Sequence, residues 1–164
     1  MQNSTTCRIP LGGQRGAGLF ALVDEEHFAY LSEFRWHYMD GYAARNAIPQ
    51  PGTIRMHKVI MPCTAPLQID HINGDRLDNR QCNLRIVTFH QNTMNRKQSC
   101  SNTSGYKGVS PCGDSKLNPW RAQIAMQVNG KRKVVNLGLH PTPEAASVAY
   151  EAAAKQLFGE YARQ

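Results

Sequence analysis

At 164 residues and 41% hydrophobic content, the chain can form one domain or two small ones, each with a modest core. Nineteen Lys and Arg against 12 Asp and Glu give a net charge of +7, which fits an ordinary basic protein and, more pointedly, an electrostatic footprint for nucleic acid. No apolar run approaches the ~18–20 residues of a membrane span and no signal-peptide core is present, so an intracellular protein without membrane association is expected.

The five cysteines are an odd number with no C-x-x-C pair, which argues against a disulfide framework or a zinc knuckle and for free thiols. Residues 8–48 read as strand-rich. Arg8–Leu11 and Gly18–Val23 are short strand candidates around a Gly-rich turn. Asp24 is placed to cap a helix running to about Phe34, with Glu25 and Glu26 in its first turn. Arg35–Tyr38 and Tyr42–Arg45 flank Asp40-Gly41, a type I′ hairpin signal. His27 and His37 stand apart from other ligand types and read as structural or exposed. His57, within the apolar segment Ile54–Met61, reads as a packing residue on a short helix rather than as a ligand.

Residues 68–97 read as a strand, a long turn, a second strand and a helix. Leu67–Ile69 and Leu84–Val87 supply the strands, and Asn73, Asp75, Asp78 and Asn79 supply turn chemistry. Thr88-x-x-Gln91 matches a capping box at the start of the helix. A polar loop between strands accounts for these turns. It does not account for Asp70 and His71 adjoining at a strand end, opposite an amide-bearing helix face.

Phosphodiester hydrolysis needs an activated water, a metal ion at the phosphate and groups that fix both. His71 has the ordinary pKa of a general base at neutral pH. Asp70 is a hard oxygen ligand, suited to Mg²⁺ or Mn²⁺ rather than zinc. The two point to opposite strand faces unless the strand end twists both toward one cleft. His90 and Asn92 compete as second ligand; about 200° apart on a helix, only one can face the ion. Asn92 shares its face with Asn95 and Arg96 and is preferred. Asn83 closes the long turn, from where its side chain can cross to hold His71.

The short polar residues 98–104 read as a linker. Beyond it, residues 105–164 read as three strands and a helix. Tyr106–Ser110 is the first strand, and Trp120–Val128 and Lys131–Leu137 flank Asn129-Gly130, a second type I′ hairpin signal. Thr142-Pro143-Glu144 is an N-cap, a first-turn proline and an acid, and the helix runs to about Phe158. Ala146, Ala149, Tyr150, Ala153 and Leu157 share a face that suits packing on a sheet. A two-residue loop pairs Val128 with Lys131. One sheet face is then largely apolar, and the other shows Arg121, Gln123, Ala125, Gln127, Arg132, Val134 and Asn136. Arg, Gln and Asn can read base edges, and a small sheet fits the major groove; a solvated sheet face is the plainer reading.

Two resemblances follow from these strings. Ile69-Asp70-His71-Ile72-Asn73-Gly74-Asp75, Asp78-Asn79-Arg80, Asn83-Leu84-Arg85-Ile86-Val87-Thr88 and Gln91-Asn92 with Asn95-Arg96, preceded by Met56–Met61, resemble the HNH homing endonucleases of phages and group I introns. That resemblance implies a ββα-metal (His-Me finger) centre, His71 as general base, Asp70 and Asn92 as metal ligands, and Asn83 as the residue orienting the loop. Asn92 stands where the eponymous motif has its last His, a change seen in the homing subgroup. Ser104–Val109, Trp120–Ile124, Leu137-Gly138 and the Pro143–Ala146 helix start resemble the AP2 DNA-binding domain. That family reads DNA with its three-stranded sheet, and its contact positions fall on Lys107, Arg121, Gln123, Ala125, Val134 and Asn136. Ala125 and Val134 depart from the basic residues often found in plant members.

The expectation is an α+β protein: a nuclease domain at 1–97 with a β-rich part to residue 62, and an AP2-like domain at 105–164 whose three-stranded antiparallel sheet packs on one helix. The expected function is a site-directed, Mg²⁺- or Mn²⁺-dependent DNA endonuclease of homing type, leaving a 5′-phosphate. It acts on double-stranded DNA as a monomer, without a small-molecule cofactor, in the cytoplasm of a bacterial host. Arg85 and Arg96 are expected to meet DNA beside the site, with Lys107, Arg121, Gln123, Arg132 and Asn136 meeting it from the sheet. The alternatives are a non-catalytic DNA-binding regulator with a vestigial nuclease fold, and a nonspecific defence nuclease.

Overall fold

A computed structural model describes residues 5–95, 102–113, 116–128 and 131–162. The chain divides into two compact units, Met1–Asn92 and Thr93–Gln164. Arg96, Cys100, Asn129-Gly130 and residues 98–101 of the expected linker lie outside the described residues, as do the side chains of His90 and Gln127.

In the first unit, β1 (Thr6–Pro10) and β2 (Phe20–Asp24) form an antiparallel hairpin. The strand alternation puts Ile9, Ala21 and Val23 into a core with Leu11, Leu31, Trp36, Ala43 and Met56. Helix α1 covers Glu25–Ser32, two residues shorter than the sequence suggests. Asp24 takes its N-cap position but makes no side-chain cap bond there. Its carboxylate accepts instead from the backbone N–H of Gln81, at 2.7 Å. Strands β3 (His37–Met39), β4 (Tyr42–Asn46) and β5 (Thr53–Arg55) form a second sheet. Asp40 and Gly41 both have positive φ, 51° and 91°, as a type I′ turn requires. Helix α2 (Met56–Ile60) follows and buries Met56 and His57.

Strands β6 (Gln68–His71) and β7 (Leu84–Val87) pair antiparallel, Asp70 opposite Arg85 and His71 opposite Leu84. A long turn joins them, and α3 (Phe89–Met94) follows. The capping box forms in full: Gln91 N donates to Thr88 Oγ1 (3.2 Å) and Thr88 N donates to Gln91 Oε1 (2.8 Å). The turn is not a free loop. Leu22 N donates to Leu77 O and Asn79 N donates to Leu22 O, both at 2.8 Å, so β2 serves as its splint.

In the second unit, β8 (Val109–Pro111), β9 (Trp120–Val128) and β10 (Lys131–His140) form an antiparallel sheet with β9 central, against α4 (Pro143–Phe158). Val128 pairs with Lys131, and the register slips between Asn136 and Leu139. Ala122 and Ile124 pack with Ala146, Tyr150, Ala154 and Phe158 of the helix. The buried stripe therefore runs through Phe158, while Leu157 is 42% exposed. Steps of four from Ala146 to Tyr150, Ala154 and Phe158 keep to one face of an α-helix, and Leu157 falls at its margin. Thr142 Oγ1 accepts from Ala145 N (3.2 Å), and Gly159 ends the helix with φ 53°. Cys7, Cys63, Cys82 and Cys112 are free thiols. No helix among the described residues is long and apolar enough to cross a membrane.

Candidate active site

The site is built around the end of β6. His71 is 5% exposed and Asp70 6%, so both are taken from water by the hairpin and its neighbours. Their side chains leave the strand in different company. On the His71 side, the imidazole lies edge-on to that of His57, with ring centroids 5.1 Å apart at 88°, and 6.0 Å from the Tyr42 ring. On the Asp70 side, Arg85 donates from Nε (3.0 Å) and Nη2 (2.8 Å) to Oδ2 of the carboxylate. Residues two apart on a strand share a face, so Gln68 lies on the Asp70 side. Its Oε1 accepts from Asn92 Nδ2 at 2.7 Å, which brings Asn92 of α3 to that side too.

The turn from Asn73 to Asn83 is a hydrogen-bonded network rather than a set of independent bends. Asn83 spans it: Oδ1 accepts from Asn73 N (3.0 Å), and Nδ2 donates to Asp78 O (2.8 Å). Asp78, 1% exposed, receives Arg80 Nε (2.8 Å), Arg80 Nη2 (2.7 Å) and Asn73 Nδ2 (2.9 Å). Asn79, also 1% exposed, donates from Nδ2 to Leu77 O (3.1 Å), which turns Oδ1 to His71 Nε2 at 3.5 Å. An amide oxygen can only accept, so this contact calls for the His71 proton on Nε2 and the lone pair on Nδ1. Asn79 and Asp78, turn residues by their sequence context, do more in the fold: Asn79 is a partner of His71 and Asp78 anchors the network. Asp78-x-Arg80 was a readable local signal. Nothing local marks Asn79, nor the ring of Tyr42 that arrives from β4.

Burial sets the electrostatics. Loss of water lowers the His71 pKa below its ordinary value, although Asn79 and the carboxylates of Asp70, Asp75 and Asp78 pull it upward. His57 is pushed down to about 3, first by burial, then by the charge His71 carries once protonated, and by Arg55 and Lys58. Its buried Nδ1 has no hydrogen-bond partner among the described residues. Both rings are therefore neutral at pH 7. Burial opposes the charge of Asp78, but the hydrogen bonds and charge of Arg80, with the Asn73 amide, outweigh it and hold its carboxyl below the ordinary range.

Among the described residues no group of three or more His, Cys, Asp or Glu is placed to hold a metal ion. What the Asp70 side offers is one buried carboxylate and one amide oxygen. Such a sparse, hard donor pair fits a cation that keeps most of its waters and takes its remaining ligands from a phosphate, as Mg²⁺ does. Among the described residues a zinc-type set of soft or imidazole ligands is not assembled there.

The other expected site residues are spread over the second unit. Lys107 Nζ donates to Met94 O (2.8 Å), and Arg121 Nη2 lies 2.8 Å from Cys112 Sγ. Asn136 Oδ1 accepts from Gly138 N (3.1 Å), and Arg132 is exposed. Arg121, Gln123 and Asn136 stand on the sheet face opposite Ala122 and Ile124, which meet the helix.

Comparison with known proteins locates this arrangement in sequence space. Residues 62–94, from just before β6 to the end of α3, match the HNH endonuclease family. The chain is 30% identical over 156 residues to L560 of Acanthamoeba polyphaga mimivirus, an uncharacterized HNH endonuclease, covering 90% of this chain and 75% of that protein. It is 33% identical over 95 residues to Protein 3.8 of Escherichia phage T7, covering 58% of this chain and 73% of that protein. No solved structure matches. With similarity running along nine-tenths of the chain and the family match falling on the hairpin, turn and helix that carry Asp70, His71 and Asn92, the chain belongs to the HNH endonuclease family.

Proposed function

We propose that the protein is a divalent-metal-dependent DNA endonuclease of homing type, with β6, β7 and α3 forming a ββα-metal centre. The observation that carries this reading is the buried His71 imidazole, backed by the buried Asn79 amide and lying within electrostatic reach of the adjoining Asp70 carboxylate, with Asn92 of α3 tied to Gln68 of the same strand. His71 Nδ1 takes a proton from the attacking water, and Nε2–H stays bonded to Asn79. Asn83 holds the turn that carries Asn79. Asp70 and Asn92 would hold Mg²⁺ or Mn²⁺. When bound, the ion supplies electrostatic stabilisation of the charge that builds on the scissile phosphate and the leaving oxygen. Arg85 then serves Asp70 first and DNA second. The water adds to phosphorus as the bond to the 3′ oxygen breaks; that oxygen takes a proton from solvent and His71 returns its own to solvent, giving a 5′-phosphate and a 3′-hydroxyl.

The second unit acts as an AP2-like reader of double-stranded DNA. Arg121, Gln123, Arg132 and Asn136 on one sheet face support this, since such side chains can reach base edges and phosphates. The phosphate contacts of Lys107 and Arg96 belong to the same proposal.

The test is incubation of supercoiled plasmid and of phage or host genomic DNA with Mg²⁺, with and without a chelator. Discrete metal-dependent cuts support the reading, a smear supports a nonspecific nuclease, and binding without cuts supports a DNA-binding regulator. His71→Ala should lower the cleavage rate by ~10²–10⁴-fold while leaving DNA affinity near that of the parent. Full activity in that variant overturns the assignment of the base.

A further inference from the structure

We propose that Arg55 and Arg76 form a phosphate clamp beside His71, gripping the backbone of the DNA strand that flanks the scissile bond. The inference rests on the reading of His71 as catalytic base, and it assigns a DNA contact to two arginines with no other proposed role. Tyr42, at the start of β4, carries both cations on its ring. The Arg55 guanidinium lies 4.5 Å from the ring centroid and that of Arg76 4.7 Å, while the His71 ring is 6.0 Å away. The two charges are therefore within about 9 Å of each other, whichever sides of the ring they occupy. They come from distant segments, Arg55 from the end of β5 and Arg76 from the β6–β7 turn.

Neither takes part in an ion pair among the described residues, whereas Arg80 and Arg85 are each matched to a buried carboxylate. Arg76 Nη1 donates to the carbonyl of Asp40 at 3.0 Å, which fixes the arm without neutralising it. Two like charges held this close repel each other and favour an anion. A cation–π contact consumes no N–H donor, so the guanidinium forks remain available for the bidentate geometry that phosphate oxygens accept. Arg76 is exposed and Arg55 and Tyr42 half-buried, so a strand backbone can reach the pair. Successive phosphates on one strand are close enough for one to meet each guanidinium.

The test is the salt dependence of affinity for a labelled, mixed-sequence duplex of roughly 30 base pairs, in chelator so that nothing is cut. Each neutralised phosphate contributes about 0.9 to the slope of log K against log salt. Arg55→Gln and Arg76→Gln should each make the slope shallower by about 0.9, and the double variant by about 1.8. Arg8→Gln, on exposed β1, should leave it unchanged. Unchanged slopes in both clamp variants, or an equal loss in Arg8→Gln, overturn the proposal. Circular dichroism monitors folding; if loss of the Asp40 bond unfolds Arg76→Gln, the Arg55→Gln slope decides by itself. The catalytic reading fails separately: an unsubstituted protein that binds with the full slope but never cuts leaves the clamp standing, and cleavage with clamp variants of unchanged slope does the reverse.

Discussion

The pairing of Arg85 with Asp70 places two claims on one carboxylate. Both side chains are largely buried, at 16% and 7% exposure, so removing the guanidinium withdraws two charge-assisted hydrogen bonds from a carboxylate in a dry site. Arg85→Leu should therefore destabilise the metal-free protein by about 3–5 kcal/mol, and Mg²⁺ should recover more stability in the variant than in the parent. The difference in Tm with and without Mg²⁺ reads this directly; an equal Mg²⁺ shift in both proteins would detach Asp70 from metal binding. Asn79 offers a sharper case, because its acceptor faces the His71 ring while its donor is committed to Leu77 O. Asn79→Leu removes the amide oxygen that faces the imidazole Nε2. Cleavage should fall by at least tenfold, toward the ~10⁴-fold loss that a mis-tautomerised catalytic imidazole can show. Asn79→Asp keeps an acceptor and should retain more activity than Asn79→Leu at equal Mg²⁺; equal activities would make Asn79 a packing residue.

Among the elements, those specified by neighbours in sequence were readable in advance. Asp40-Gly41 announced the β3–β4 turn, Thr88 and Gln91 the start of α3, and Thr142 with Pro143 the start of α4, because each device closes its hydrogen bonds within a few residues. Misreadings fell where the deciding partner is distant. Asp24 stands at the N-cap of α1, but its carboxylate accepts from Gln81, 57 positions away. Three groups that meet His71 – Asn79, His57 and Tyr42 – reach it through a turn, α2 and β4, and no local spacing encodes that meeting. Asp70, His71, Asn83 and Asn92 stand out in the sequence because they cluster in one chemically dense stretch. Close approach between elements also makes a prediction in the second unit. Gly108 has φ 71°, and the ring of Tyr150 from α4 occupies the space a Cβ would need. Gly108→Ala meets both strain and overlap, and should lower stability by about 1–3 kcal/mol in chemical denaturation. A neutral result would mean that the helix can move off the sheet at no cost.

For the molecule as a whole, the buried histidines make acid a specific stress. An unfolded His57 binds its proton as pH falls through 6.5, whereas in the fold it does so only near 3. Stability should thus be greatest above pH 6.5 and decline steadily between 6.5 and 3, with His71 adding to the slope in the same direction. Asp78 works at the lower end: its folded carboxyl is held below the ordinary value, so its contribution is present above about pH 4 and is lost beneath it. Denaturant midpoints measured across this range check the sign, and His57→Gln should flatten the upper part of the curve. An equally steep slope in that variant would move the cause to other groups. The splint that β2 provides to the β6–β7 turn has a consequence for modularity. The family match begins at residue 62, yet the turn inside it borrows hydrogen bonds from Leu22 and Asp24, forty residues outside that boundary. The recognisable motif and the smallest unit able to hold its own geometry are thus different objects. Transplanting residues 62–94 into another protein would carry Asp70, His71 and Asn92 without the strand that braces their turn, so the motif depends for its geometry on a hairpin outside it.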